Sequence, residues 1–264
     1  MALIGSGIVG LRRVNTFEKN FLLVACADNF IDFKKKIFKN KKILLTNNWK
    51  DLLKIKDLDA VFVATYHSEQ GKIIQAFLNK NVHIFCEKPG SMSLPIAKRL
   101  LDLSKRKKNI IIKIGYNHRY HPSIIFAKNI LKNNSLGKIL YLRAVYGHGG
   151  RKNYHKEWRF KKELSGGGEL IDKGSHLIDL SRFFLGDLSV HSSFLKNYFW
   201  KSKLEDNCFF SLRNSKNNLC FLHSSSTEWK NKFIFEIFCK YGKIEINGLG
   251  KSYGKEKLIL YKMS

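Results

Sequence analysis

Six short apolar runs of strand length recur through the first 116 residues: ALIG (2–5), LLVACA (22–27), ILL (43–45), AVFVAT (60–65), VHIFC (82–86) and IIIKIGY (110–116). Helix-like segments separate them. Residues 69–80 place Ile73, Ile74 and Phe77 on one face, and residues 93–107 group Leu94, Ala97, Leu100 and Leu101. Strands that alternate with helices predict a parallel sheet with helices on its faces. The unbroken apolar character of the runs agrees, because parallel strands are covered on both sides. No other feature constrains the fold as tightly. It also says where chemistry belongs, because an open parallel sheet gathers ligands at the carboxyl ends of its strands.

The turn after the first run is GSGIVG, with Gly5, Ser6, Gly7, Ile8, Val9 and Gly10. It follows a strand and opens a helix, the setting in which GxGxxG has physical meaning. Gly5 permits the tight turn, Gly7 lets the backbone approach a pyrophosphate, and Gly10 lets helix and strand pack closely. The helix N-terminus offers unpaired N–H groups to phosphates. Asp28 lies just past the second run, where a carboxylate accepts hydrogen bonds from a ribose diol and repels a 2′-phosphate. NAD is therefore expected ahead of NADP, although Arg12 and Arg13 could reach such a phosphate and weaken the preference.

The chain has 264 residues, room for one large domain or two medium ones, and a net charge of +27. A nucleic-acid partner is the sharp reading of that charge. Against it, 38 of the 48 basic residues are Lys and only 10 are Arg, and the Lys are spread along the whole chain. Readers of phosphate and base edges lean on Arg forks. The densest run, residues 34–42, is mixed with apolar residues on an apparent helix and the loop after it. No nucleic-acid partner is expected, and the positive field is read as an attractor of an anionic substrate or cofactor. No run of about 18 apolar residues suggests a membrane span, and MALIGSGIVG lacks the basic and apolar regions of a signal peptide. Five widely spaced cysteines form no CxxC pair, so neither a metal site nor a redox motif is indicated. Reduced, buried thiols in a cytoplasmic protein are expected.

After about residue 118 the period changes. A helix is expected from Pro122, with Ile124, Ile125, Ala127 and Leu131 on one side. Then come KILYLRAVYG, a loop, a glycine-led helix and mostly strands. Phe233, Phe235, Ile237 and Cys239 alternate ahead of a turn near Gly242, which reads as a hairpin. Runs 206–213 and 218–227 read as further strands. This half is expected to be a mostly antiparallel sheet with one face against helices.

Three polar stretches stand out. CEKPGS (86–91) puts Lys88 at a strand's carboxyl end. GYNHRYHPS (115–123) puts Asn117 and Arg119 at another. GGGELIDKGSHLIDL (166–180) sets Asp172 and His176 at i and i+4, on one helix face, with Asp179 beyond. Gly174 inside that helix costs about 1 kcal/mol relative to Ala, which suggests a close approach to its backbone. Each stretch alone has a bland reading as surface charge, turn residues or a core histidine. Their order along one chain is what raises them together.

GSGIVG, CEKP, GYNHRY and WRF…SGGGELIDKGSHLIDL together resemble the Gfo/Idh/MocA oxidoreductases over nearly the whole chain. The resemblance implies an N-terminal Rossmann domain (1–118) and a C-terminal α/β domain on an open, mostly antiparallel sheet (119–264). It implies NAD(P) across the first domain and a substrate between the two. Carried over, Lys88 is the lysine of the EKP motif and Asp172 and His176 are the DxxxH pair. Gly5, Gly7, Gly10 and Asp28 fall on the cofactor turn and ribose acid, Thr65 lies beside the cofactor, and Glu87 and Asn117 line the nicotinamide side. Hydride transfer from a secondary alcohol of a sugar, cyclitol or nucleotide sugar is implied. The segment 150–160 resembles members of surface-polysaccharide pathways. His176 is the expected base, Lys88 the donor to the reacting oxygen and Asp172 the orienting group, with the base role open between His176 and Lys88. A homodimer or homotetramer is expected, as in the family. Two alternatives stand beside this: an enzyme using bound NAD transiently, as in epimerisation or glycoside cleavage, and a non-catalytic dinucleotide-binding regulator. The chain is shorter than the family's usual length, so a C-terminal truncation is expected. ATYHS stands where members often carry a proline, which is expected to alter loop geometry and not cofactor binding.

Overall fold

The structure is a computed structural model that describes residues 1–17, 20–30, 38 and 42–263. The basic run 34–42 lies outside the described residues apart from Phe38 and Lys42. The chain divides into two compact units, Met1–Gly115 and Tyr116–Ser264. The division falls at Tyr116 because the residues that follow spend their side chains on the second unit: the Tyr116 ring meets His176, and Arg119 pairs with Asp179.

The first unit holds β1 (Ala2–Ile4), β2 (Ala25–Ala27), β3 (Leu44–Thr46), β4 (Ala60–Val63), β5 (His83–Cys86) and β6 (Ile112–Ile114). They lie in the order β3-β2-β1-β4-β5-β6, and every neighbouring pair is parallel. Alternation along each strand sorts side chains between two cores. Ala2 and Ile4, Ala25 and Ala27, Val61 and Val63, Ile84 and Cys86 meet helix α2 (His67–Asn79) through Ile73, Ile74, Phe77 and Leu78. Leu3, Cys26 and Phe62 face the other way, against Val14 of helix α1 (Ile8–Phe17) and Phe38. Those four α2 side chains are at most 1% exposed, each stabilising the unit by about 1.5–3 kcal/mol. The strand order reverses between β1 and β4, which opens a crevice at their carboxyl ends.

Helix α3 (Leu94–Arg106) begins at Ser93, whose hydroxyl caps the Ile96 N–H. Its covered side differs from the expected one. Leu100 is buried and Leu103 partly so, but Leu94 is 67% and Leu101 55% exposed, and Ala97 is exposed. The helix packs along α2, where a Cβ on Gly71 would lie 2.8 Å from Ile96 Cγ2. That neighbour covers Leu100, part of Leu103 and one edge of Ile96, itself 37% exposed, and leaves the Leu94–Ala97–Leu101 stripe outside.

The second unit is a seven-stranded sheet with helices on one face. Its strands are β7 (Ile139–Gly147), β8 (Ser189–Lys196), β9 (Asn207–Arg213), β10 (Leu219–Ser225), β11 (Lys232–Cys239), β12 (Gly242–Asn247) and β13 (Lys257–Lys262). Their order is β13-β12-β11-β7-β10-β9-β8. The sheet is mixed: β7 and β10 run parallel, and the other pairs are antiparallel. Phe233, Phe235, Ile237 and Cys239 alternate into the core as expected. Helix α4 (Pro122–Lys132) adds Ile124 and Ala127 to that core, whereas Ile125 is 44% exposed and does not join its apolar side. On the outer face, Arg143 forks onto Glu236 directly across the β7–β11 pair, at 2.6 and 2.9 Å. Among the described residues no helix is long and apolar enough to cross a membrane.

The first turn is the most crowded point of the parallel sheet. A Cβ on Gly10 would lie 2.0 Å from the Gly5 carbonyl oxygen, whereas one on Gly7 would meet nothing within 4 Å. Gly10→Ala is therefore expected to destabilise the protein by about 1–3 kcal/mol, as overpacking does. Gly7→Ala should stay within about 0.5 kcal/mol of the parent. Urea denaturation of the two variants side by side checks both.

Candidate active site

In the first unit, ladder hydrogen bonds continue one residue beyond the strands. Gly5 N–H donates to Ala27 O, Ala64 N–H to Ile4 O, Glu87 N–H to Val63 O and Gly115 N–H to Cys86 O, all at 2.7–2.8 Å. The chain is thus held in register until it enters the glycine turn, the Thr65 loop, the CEKPG loop and the segment after β6. These four loops share one edge of the sheet.

At the glycine turn, Gly5 has φ +90°, and a Cβ there would lie 2.5 Å from Ala64 O. Gly7 faces open space and is exposed, as are Ile8 and Val9 at the start of α1. The first N–H groups of a helix have no intrahelical acceptor. A bare backbone edge beside such N–H groups is what a pyrophosphate needs. Asp28 sits across the turn: Oδ2 accepts from the Ser6 N–H at 2.6 Å and the Ser6 hydroxyl at 2.8 Å, and Oδ1 accepts from the Phe30 N–H. The carboxylate is thereby fixed at the end of β2, half-buried, and its acceptor sites suit a ribose diol. These residues fit a dinucleotide. Arg13, one of the two arginines that could have met a 2′-phosphate, points elsewhere and pairs with Glu87 at 3.2 Å. Thr65 follows β4, and its hydroxyl donates to Tyr66 O. Lys88 follows β5 in a loop whose next residues are Pro89, after a cis bond, and Gly90 at φ +80°.

In the second unit the glycine-led segment does not begin as an α-helix. Leu170–Gly174 forms a π turn, and only then does helix α5 (Ser175–Leu185) start. Glu205 anchors the entry: its carboxylate accepts from the N–H groups of Gly168 and Leu170, and a Cβ on Gly168 would lie 2.1 Å from its carbonyl oxygen. The close approach implied by Gly174 is real, because a Cβ there would sit 2.9 Å from Leu170 Cδ1 and 3.1 Å from Ser224 Oγ.

His176 lies in the first turn of α5 and is 6% exposed. Its ring stacks on His118 at 3.8 Å, with Tyr116 edge-on at 5.8 Å. Asn117 Oδ1 lies 3.2 Å from His118 Nδ1, so it reaches His176 through that stacked ring. Asp172 is held by Lys173 Nζ at 3.0 Å and Arg159 Nε at 3.5 Å. Asp179 takes a two-pronged contact from Arg119 at 2.6 and 2.7 Å.

The larger surprise is what surrounds Asp172. Lys173 is 6% exposed and Glu169 2%, and they pair at 3.3 Å. Tyr154 donates its hydroxyl hydrogen to Glu169 Oε1 at 3.2 Å, and His148 Nε2 lies 3.7 Å from the same oxygen. Burial works against the Lys173 ammonium, but the Asp172 and Glu169 carboxylates outweigh it and hold its pKa well above the ordinary value. Burial likewise pushes Glu169 up, and Lys173 and His148 more than reverse it, so its pKa is lowered. Burial pushes the Tyr146 and Tyr154 phenols upward, so both remain neutral donors. The sequence singles out Asp172 and His176 and gives no prominence to Glu169, Lys173, Arg159 and His118. A lysine at a core-facing slot four residues after a glutamate was the available signal.

Two sequence profiles match the chain: the oxidoreductase family with NAD-binding Rossmann fold over residues 1–116, and the GFO/IDH/MocA C-terminal domain over residues 124–245. Levoglucosan dehydrogenase of Pseudarthrobacter phenanthrenivorans is 30% identical over 155 residues, 58% of this chain and 40% of its own length. Inositol 2-dehydrogenase of Gluconacetobacter diazotrophicus is 22% identical over 190 residues, 70% and 54% of the two chains. These matches span about half the length of the curated relatives. Among solved structures, levoglucosan dehydrogenase complexed with NADH has a TM-score of 0.85 at 21% identity, over 100% of this chain and 79% of that one. The WlbA dehydrogenase of Bordetella pertussis, in complex with NADH and UDP-GlcNAcA, gives 0.89 at 16% identity, over 100% and 81%. At those identities the likeness is one of fold.

Removing Lys173 strands two carboxylates. Lys173→Met is expected to cost about 3–5 kcal/mol in urea denaturation, and adding Glu169→Gln should recover part of it. The contribution from Glu169, whose folded pKa is lowered, is present above its unfolded value of about 4.3 and fades as pH falls through the folded pKa. That from Lys173, whose folded pKa is raised, is present below about 10.4 and fades as pH rises through the folded pKa. The parent's advantage over Lys173→Met should therefore be largest between neutral pH and about pH 10 and shrink in acid, as the Glu169 carboxyl of the variant, no longer answered by Lys173, takes up its proton first.

Proposed function

We propose, since this chain belongs to the Gfo/Idh/MocA family of oxidoreductases, that it is an NAD-dependent dehydrogenase acting on a secondary alcohol of a sugar, cyclitol or nucleotide sugar. The observation that carries the reading is the pairing of two features in one chain. One is a glycine turn with an open backbone edge at Gly7 and a fixed carboxylate at Asp28. The other is a half-buried Lys88 at a strand end, with His176 and Asp172 on a separately built helix start. In this reading the first unit holds the cofactor, and the second binds substrate and supplies contacts to further copies of the chain in a homodimer or homotetramer. The exposed Phe194, Phe209 and Phe221 on its sheet support that last assignment.

When bound, the nicotinamide supplies hydride transfer. The turn residues Gly5–Gly10 would hold its phosphates, and Asp28 its ribose, with Thr65, Glu87 and Asn117 nearer the ring. Lys88 would donate a hydrogen bond to the reacting oxygen and stabilise alkoxide charge as it develops. His176 would take the hydroxyl proton, since an imidazole of ordinary pKa ~6.5 works close to neutral pH. The stack on His118 fixes its ring plane. Asp172 would orient the substrate hydroxyl, and Lys173 and Arg159 hold that carboxylate in place. Lys88 remains the other choice for the base. The substrate class draws support from relatives that act on levoglucosan and inositol, and from a structural neighbour holding UDP-GlcNAcA. A nucleotide sugar of surface-polysaccharide synthesis is the finer form of the reading.

Calorimetric titration should give at least about tenfold tighter binding of NADH than of NADPH, a difference of 1.4 kcal/mol or more. Asp28→Asn should narrow that gap. A folded protein that binds neither sinks the reading. With levoglucosan, inositols and UDP-sugars as the panel, Lys88→Met and His176→Asn should each lower turnover by roughly 10²–10⁴-fold while NADH binding persists. Near-normal turnover in Lys88→Met removes Lys88 from the mechanism.

A further inference from the structure

The stripe that α2 turns toward the sheet runs through Ile73, Ile74 and Phe77, and the slot one turn earlier is Gln70. Its side chain is 0% exposed, as deeply buried as the apolar residues that continue the stripe. A buried amide left unsatisfied costs about 1–3 kcal/mol per group, comparable with what one of those apolar side chains contributes. Gln70 escapes that cost because its polar atoms are engaged. Oε1 accepts from the Gly90 N–H at 2.8 Å. Nε2 donates to the Thr65 carbonyl at 3.3 Å and to the Lys88 carbonyl at 3.3 Å. The partners dictate the orientation of the amide: a backbone N–H can only donate, and the two carbonyls can only accept.

We propose that Gln70 is the positioning residue for Lys88, clamping the CEKPG loop to the loop that leaves β4. The inference rests on the reading of Lys88 as the group that meets the reacting oxygen. Three observations converge on it. The bonded atoms flank the Lys88–Gly90 segment, so the backbone that carries the lysine is fixed on both sides of Pro89. The third bond reaches Thr65, so the two strand-end loops of the crevice are joined by one side chain. The loop is also confined elsewhere: Glu87 pairs with Arg13, and a Cβ on Gly90 would lie 2.7 Å from Ile114 Cδ1. The chemistry of the slot is selective. Two carbonyls and one N–H aimed at one point demand two donors and one acceptor on a neutral group. Leucine offers neither, glutamate offers no donor while ionised, and lysine offers no acceptor. A glutamine amide matches. A rigid base matters because misplacing a reacting group by about 1 Å can cost roughly 10²-fold in rate.

The test uses the full chain with Gln70→Glu and Gln70→Leu. Glutamate keeps the acceptor for Gly90 and loses both donors, whereas leucine loses all three bonds. Amide hydrogen exchange across residues 86–91, NADH titration, thermal melting and turnover against pH are measured on each. Exchange at Gly90 should stay slow in Gln70→Glu and rise at least about tenfold in Gln70→Leu, the factor expected for an opening made easier by 1.4 kcal/mol. Turnover at pH 8 should fall about tenfold or more in both variants, with NADH affinity less affected. In Gln70→Glu it should recover relative to the parent as pH falls, because a protonated carboxyl regains one donor. Gln70→Leu should show no such recovery. Parent-like turnover in both variants overturns the proposal. So does a loss that follows the melting temperature alone with no recovery in acid. Should the parent itself turn over nothing on the panel, the dehydrogenase reading has failed. The clamp is then judged by exchange, and equal Gly90 exchange in parent and Gln70→Leu overturns it.

Discussion

Helix α1 can lie across the end of β1 only because two Cβ atoms are missing. The Gly5 carbonyl points at the space a side chain on residue 10 would fill, and Ala64 occupies the space a side chain on residue 5 would need. That double approach draws the end of β1, the start of α1 and the exit of β4 into one small volume. The rest of the crevice is arranged around it. Asp28 is fixed by Ser6 of the same turn, and Thr65 leaves from the strand that presses on Gly5. The backbone bonds that run on past the strands carry the same register to Glu87 and Gly115.

The second unit solves a different problem. It holds a histidine and a carboxylate at a helix start inside a largely apolar core. It does so by burying one compensating charge, Lys173, and by drawing in two half-buried arginines. Lys173 answers Glu169 and Asp172, Arg159 adds a second contact to Asp172, and Arg119 takes Asp179. Buried pairs of this kind are weak sources of net stability, but each partner is costly to leave alone. The π turn at Leu170–Gly174 opens this helix start, and Gly174 leaves room there for Leu170 and Ser224.

Much of this was legible in the sequence, and the rest resisted for identifiable reasons. The alternation of strands and helices, the glycine turn and Asp28 could be read because each follows from local geometry. Ile73, Ile74 and Phe77 were correctly placed inward. Leu94, Ala97 and Leu101 were not, because a helical period shows that a face is apolar and not which neighbour covers it. Ile125 failed for the same reason. The π turn was invisible, since i and i+4 spacing assumes 3.6 residues per turn throughout. Lys173, Arg159 and Gln70 were passed over because long polar side chains read as surface. For Gln70 only partners distant in sequence show that it is inside, whereas Lys173 is answered by Glu169 and Asp172 close by. Several arginines are likewise tied to carboxylates that the sequence does not mark as their partners.

Arg13, Arg119, Arg143 and Arg159 each hold a carboxylate of their own unit, at Glu87, Asp179, Glu236 and Asp172. The lysines are nearly four times as numerous, and among the described residues, with exceptions such as Lys173, they line the exterior. Internal fastening and external charge thus draw largely on separate residue types. The exterior lysines can therefore change without loosening these joints.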